Sequence, residues 1–106
     1  MPHEPITLVN LLKVEPENQE RLIALLQRNI DGVICTLDGW RTSRLIAAQD
    51  GASVVIYSEW ETAEAVDAMR RDPRMMAYFP KIRELAEFSS VTGHVVLTRE
   101  PQMAVS

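Results

Sequence analysis

At 106 residues, 46% hydrophobic and 25% charged, the chain has enough length for one hydrophobic core but not two, and it lacks the polar bias of a disordered protein. Its net charge of −4 is spread along the sequence with no basic stripe, which argues against a nucleic-acid partner. The longest apolar runs, such as Val54–Tyr57, fall far short of the roughly 20 residues of a membrane span, so no membrane association is expected.

The start, Met1-Pro2-His3-Glu4-Pro5, has neither the basic region nor the apolar core of a secretion signal, and a cytoplasmic protein is expected. One cysteine, Cys35, makes no internal disulfide, and with His3 and His94 as the two histidines there is no ligand spacing for zinc. Gly32, Gly39, Gly51 and Gly93 are too scattered for a phosphate-cradling loop. No metal, nucleotide or bound flavin is therefore expected.

In chain order, Ile6 to Val14 alternates as a strand, with Ile6, Leu8, Asn10, Leu12 and Val14 on one face. Pro16 suits a helix first turn, and Leu22, Leu25, Leu26, Ile30, Val33, Ile34 and Leu37 then recur at helical spacing until Gly39 stops the helix. Trp40 to Ala48 and Ala52 to Trp60 form a hairpin around Asp50-Gly51. Thr62 caps a short helix with Ala65, Val66 and Met69, and Asp72-Pro73 opens the next, which presents Met75, Tyr78, Phe79, Ile82, Leu85 and Ala86. Pro80 predicts a kink or break near Ala77 to Phe79. Val91 to Arg99 closes the chain as a strand, and residues 100–106 form a loose tail to a single domain spanning 1–106, with its core at about 6–99.

The order β-α-β-β-α-β is that of a ferredoxin-like α+β fold, an antiparallel sheet with helices on one face. The first and third strands are apolar on both faces, with Val9, Leu11, Val55 and Tyr57 opposite the helix-facing set. One helical layer covers only one side of a sheet, so a homodimer formed through the sheet faces is expected.

Asn10 stands alone among apolar residues on the helix-facing side of its strand. Its amide either bonds a neighbouring backbone group or buried water, or is a donor aimed into a pocket, where it would polarise a carbonyl or hold a phenolate. Trp60 reads as core whose indole N–H needs a partner and whose ring would stack on a flat aromatic ligand. Met69, Met75, Met76, Tyr78 and Phe79 are either helical core or the lining of the same cavity, Tyr78 being the first candidate for the pocket. Arg70, Arg71 and Arg74 are either a solvated face or a cationic pocket mouth, and His94, on the last strand beside Val96, reads as a surface or interface histidine. No Ser/His/Asp order, Cys/His pair or paired carboxylates on a shared face supports hydrolase chemistry.

The stretch Val54-Val55-Ile56-Tyr57-Ser58-Glu59-Trp60-Glu61-Thr62, followed by Asp72-Pro73-Arg74-Met75-Met76-Ala77-Tyr78, resembles the antibiotic biosynthesis monooxygenase family. With the strand around Asn10 and the Asp38-Gly39-Trp40 turn, the resemblance covers about residues 6 to 99. It implies a dimeric α+β barrel with one pocket per protomer between sheet and helices. It also implies oxygenation of polycyclic anthrones or quinols to quinones with O₂ as co-substrate and no metal or flavin. By the same resemblance, Asn10 and Trp60 match pocket residues of polyketide-tailoring oxygenases and are the expected catalytic pair. Ile56 on the third strand, with Met69, Arg74, Met75, Tyr78 and Phe79 from the helical segments, are the expected substrate contacts. Two polar family positions are apolar here, since a second asparagine falls at Ile56 and an arginine used by some members falls near Phe79. Haem-degrading relatives share the asparagine but need an iron-ligating histidine where this chain offers Tyr78 and Phe79.

The reading that follows is a cofactor-independent monooxygenase acting on a small aromatic substrate. Its alternatives are a non-catalytic binding or stress-associated module on the same fold, favoured by Ile56, and an isomerase or ring-cleaving enzyme using diffusible reduced flavin.

Overall fold

The computed structural model describes residues 5–101. The expectations for Met1–Glu4 and for the tail beyond Pro101 lie outside them. Strand β1 (Ile6–Val14) leads through a 3-10 turn at Pro16–Asn18 into helix α1 (Gln19–Gly32). A second 3-10 turn at Ile34–Thr36 precedes the hairpin of β2 (Trp40–Ala47) and β3 (Ser53–Trp60). Helices α2 (Ala63–Arg71) and α3 (Pro73–Leu85) then lead to β4 (Ala86–Gly93). The sheet is wholly antiparallel in the order β2-β3-β1-β4, which is the expected α+β ferredoxin-like arrangement. No helix among the described residues is long and apolar enough to cross a membrane.

The predicted caps form. Thr62 Oγ1 accepts from the Ala65 amide at 3.1 Å, and Asp72 Oδ1 accepts from the Arg74 amide at 2.8 Å, with Pro73 in the first turn of α3. At the hairpin, Gly51 takes a φ of +77° while Asp50 Oδ1 accepts from the Ala52 amide at 2.9 Å.

Three expectations are corrected. The first helix ends at Gly32 rather than running to Leu37; a glycine there weakens helix continuation, and Val33 leaves helical geometry at φ −125° and ψ −61°. Gly39, freed from stopping that helix, takes a φ of +85° and lets the chain pass against α2, where a Cβ would stand 2.6 Å from Ala65 Cβ. Pro80 does not break α3, which continues from Pro73 to Leu85. Pro80 and Met76, whose carbonyl loses its i+4 donor, are both exposed, so water can replace the missing bond.

The largest correction is the last strand, which occupies Ala86–Gly93 instead of Val91–Arg99. Leu85 passes directly into extended backbone at Ala86, and pairing with β1 runs from Val14↔Ala86 to Thr7↔Gly93. Beyond that, β1 has only Ile6 left, opposite residue 94 by the same register, so the β-prone run Val95-Val96-Leu97 passes the end of β1 and continues exposed and outside the sheet. His94 lies just past β4 rather than within it.

Candidate active site

The buried core falls into two clusters. One gathers Ile6, Leu8, Ile34, Trp60, Met69 and Met75; the other gathers Leu12, Leu22, Leu26, Val54, Ile82 and Ala86. A cavity of about 260 Å³ lies between them, lined by members of both. That volume is at the lower edge of the roughly 300–1,000 Å³ typical of small-molecule pockets and suits a compact, flat ligand.

The sheet supplies the floor. Alternation places Leu8, Asn10 and Leu12 of β1 on the helix-facing side, and antiparallel register sets one row across the sheet: Leu45, Ile56, Asn10 and Ser90. Ser90 Oγ donates to Asn10 Oδ1. Since Asn10 Oδ1 is thus engaged, its Nδ2, which has no bonded protein partner among the described residues, remains as a donor. In the next row Ser58 is buried and shares a hydrogen bond of 3.1 Å with Ser43, which in turn accepts from Trp40 Nε1 at 2.9 Å. Trp60 closes this end; it is only 1% exposed, and its Nε1 is buried without a hydrogen-bond partner among the described residues.

The helices supply the roof. Leu26 and Asn29 come from α1, Met69 and Arg70 from α2, and Met75, Phe79, Ile82 and Arg83 from α3. Two guanidinium groups stand beside the β4 edge on either side of Ser90. Arg70 donates to Thr92 Oγ1 at 3.2 Å, and Arg83 lies over the Phe88 ring at 5.3 Å and the Phe79 ring at 6.0 Å.

Of the expected site residues, the fold brings Asn10, Trp60, Ile56, Met69, Met75 and Phe79 around one cavity. Arg74 and Tyr78 are placed elsewhere. Arg74 is tied to its own cap residue, with Nε 3.3 Å from Asp72 Oδ1, and that contact together with the Arg74 backbone holds the Asp72 carboxyl below its ordinary range. Tyr78 is half-buried and packs against both core clusters, with Lys81 Nζ 5.6 Å from its ring centre, so it joins the two halves of the core away from the cavity wall. Cationic groups do stand at the cavity, but they are Arg70 and Arg83.

Five lining residues were not singled out from the sequence, among them Arg83, one of several cations on α3 with nothing local to mark it. Asn29 and Ser58 carried a signal, each being a polar residue on an otherwise apolar stripe. Ser90 and Phe88 carried none, because their place depends on where β4 begins. No group of three or more His, Cys, Asp or Glu side chains is placed to hold a metal among the described residues.

The profile of the antibiotic biosynthesis monooxygenase family matches residues 5–81. Over 80 residues, 76% of this chain and 71% of the relative, the sequence is 31% identical to the tetracenomycin-F1 monooxygenase of Streptomyces glaucescens. This chain belongs to the antibiotic biosynthesis monooxygenase family. As a member it is an oxidoreductase of the monooxygenase kind. Its fold is that of two solved structures. One is a monooxygenase from the ActVA-Orf6 gene of Streptomyces coelicolor, bound to nanaomycin D, with a TM-score of 0.84, 22% identity and 96% of each chain covered. The other is SnoaB of Streptomyces nogalater, described as a cofactor-independent oxygenase, with a TM-score of 0.76, 18% identity, and 90% of this chain and 96% of that one covered.

Proposed function

We propose that this monooxygenase-family protein oxidises a phenolic, polycyclic aromatic substrate of the anthrone or quinol type to the quinone, using O₂ and no bound metal or flavin. The observation that carries the reading is the Asn10–Ser90 pair, which leaves an amide donor at an otherwise mainly apolar floor beside Trp60. The tailoring relative of Streptomyces glaucescens and the cofactor-independent SnoaB support the chemistry.

An anthrone loses a proton from its ring CH₂ to give a delocalised anion, which passes one electron to O₂. The carbon radical and superoxide then form a C–O bond. The resulting peroxide gains a proton, its O–O bond breaks as the remaining C–H proton leaves, and the products are the quinone and one water. The protein has to desolvate, orient and stabilise the anion. Asn10 Nδ2 donates to the ionised oxygen, Trp60 stacks on the ring or donates to the peroxide, and Arg70 and Arg83 at the mouth favour an anionic ligand over a neutral one.

The working unit is a homodimer joined through the sheet faces. Leu11, Ile46 and Val91 are exposed on the side away from the helices, with Val9, Val55 and Tyr57 half-buried between them. The exposed free thiol of Cys35 fits the reducing cytoplasm.

Ile56, directly opposite Asn10, favours a second reading, a binding module that has lost the chemistry. Oxygen uptake with a panel of anthrones and hydroquinones, with and without added reduced flavin, tests both. The expected result is flavin-independent uptake with quinone formed. Uptake that requires flavin indicates the flavin-dependent alternative, and tight ligand binding without any uptake indicates the binding module.

A further inference from the structure

The buried stripe of α1 runs Leu22, Leu25, Leu26 and Asn29, and the asparagine at its end is only 3% exposed. Its position on the cavity roof, across from the sheet that carries Asn10, sets a second amide against the ligand space. The hydrogen bond it makes is a weak one, from Nδ2 to the Met75 thioether sulfur at 3.2 Å. Among the described residues nothing donates to its Oδ1.

The oxygen is not sealed in, since the fully buried side-chain atom without a partner among the described residues is Trp60 Nε1, and apolar side chains of similar size would fill the same stripe as well as this amide does. Met75 also belongs to the core cluster of Trp60, whose own Nε1 has no partner among the described residues. Sheet and roof of one cavity therefore each present a polar group short of hydrogen bonds, which is the arrangement expected where a ligand completes them.

Resting on the proposed oxidation of a phenolic ring system, we infer that Asn29 is a substrate-binding residue. Its Oδ1 accepts a hydrogen bond from a ring hydroxyl distinct from the oxygen held by Asn10. The substrate is then a fused aromatic that carries at least two oxygen functions, one reaching β1 and the other reaching α1. Asn29 does not take part in bond making; it selects hydroxylated rings over bare ones.

Two fully oxidised probes that cannot react with O₂ test this, 2,6-dihydroxyanthraquinone and unsubstituted 9,10-anthraquinone, with binding followed by quenching of tryptophan fluorescence. Wild type is expected to prefer the dihydroxy compound. In Asn29→Leu that preference is expected to fall about three- to tenfold, the worth of one neutral hydrogen bond. Affinity for the bare quinone and the melting temperature of the free protein are expected to hold or rise. Asn29→Ala, which brings no added bulk against Met75, serves the same comparison if Asn29→Leu folds poorly. An unchanged preference with a lowered melting temperature makes Asn29 a structural residue and overturns the assignment alone. Failure of wild type to bind either quinone overturns the proposed function, and the assignment with it.

Discussion

Replacing Asn10 by leucine removes the amide from the cavity floor at nearly constant size. In the folded protein the change costs one hydrogen bond, the one Ser90 Oγ donates to Asn10 Oδ1. Ser90 is exposed, so its hydroxyl turns to water and no buried orphan is left. The new side chain lies on the face shared by Leu8 and Leu12, with Ile56 across from it. Lost bond and gained apolar contact are of similar size, and stability is expected to change by less than about 1 kcal/mol. Turnover behaves differently, because a donor aimed at developing negative charge acts mainly in the transition state. Its loss is expected to slow oxidation by roughly ten- to a thousandfold, or about 1.4–4 kcal/mol. Ser90→Ala keeps the amide and removes only its anchor, so a smaller loss of about three- to tenfold is expected. Oxygen-electrode rates on a confirmed anthrone, beside thermal melts followed by circular dichroism, separate these effects. Full turnover in Asn10→Leu together with a clearly lowered melting temperature would refute the reasoning and make the asparagine structural.

Gly39→Ala places a side chain at a φ of +85° and a Cβ 2.6 Å from Ala65 Cβ, so strain and overpacking add to about 2–5 kcal/mol and a melting temperature lowered by roughly 10 °C or more. A melt shifted by only a degree or two would show that the turn relaxes. Asp72→Asn retains the cap but not the charge; the Asp72 carboxyl is held below its ordinary value of 3.8, first by the hydrogen bond from the Arg74 side chain. A lowered folded-state value means its contribution is complete above the unfolded value and lost as pH falls through the folded one. Wild type should therefore melt above Asp72→Asn at neutral pH, with the gap closing in melts taken below about pH 4, and a gap independent of pH would contradict this. Light scattering at micromolar concentration should report twice the mass of one chain, and Leu11→Lys with Val55→Lys on the outer sheet face should return the monomer; a monomeric wild type would leave that face in need of another cover.

Alternation in β1 and β3, the Asp50-Gly51 turn, and the caps at Thr62 and Asp72 are local features. Each is decided by the conformational preferences of a few adjacent residues, so the sequence by itself determined the element order and the helix-facing side of the sheet. Asn10 and Trp60 were legible for the same reason, since a polar residue or an indole on an otherwise aliphatic strand face stands out without knowledge of its neighbours. What lay beyond local reach was every choice between competing partners. The run Val95-Val96-Leu97 has the higher β propensity, yet Phe88-Ser89-Ser90 forms the strand because α3 ends where β1 offers open backbone and β1 has no residue opposite positions 95 to 97. That pairing alone set Ser90 against Asn10 and put Arg83 over Phe88, while the packing of α3 between two core clusters took Tyr78 off the cavity wall and Arg74 out to Asp72. Strand register and helix packing are settled by contacts between residues far apart in the chain, which no window of sequence contains. The identity of the cavity's floor was thus written in β1, and the identity of its mouth was decided only when β4 docked beside it.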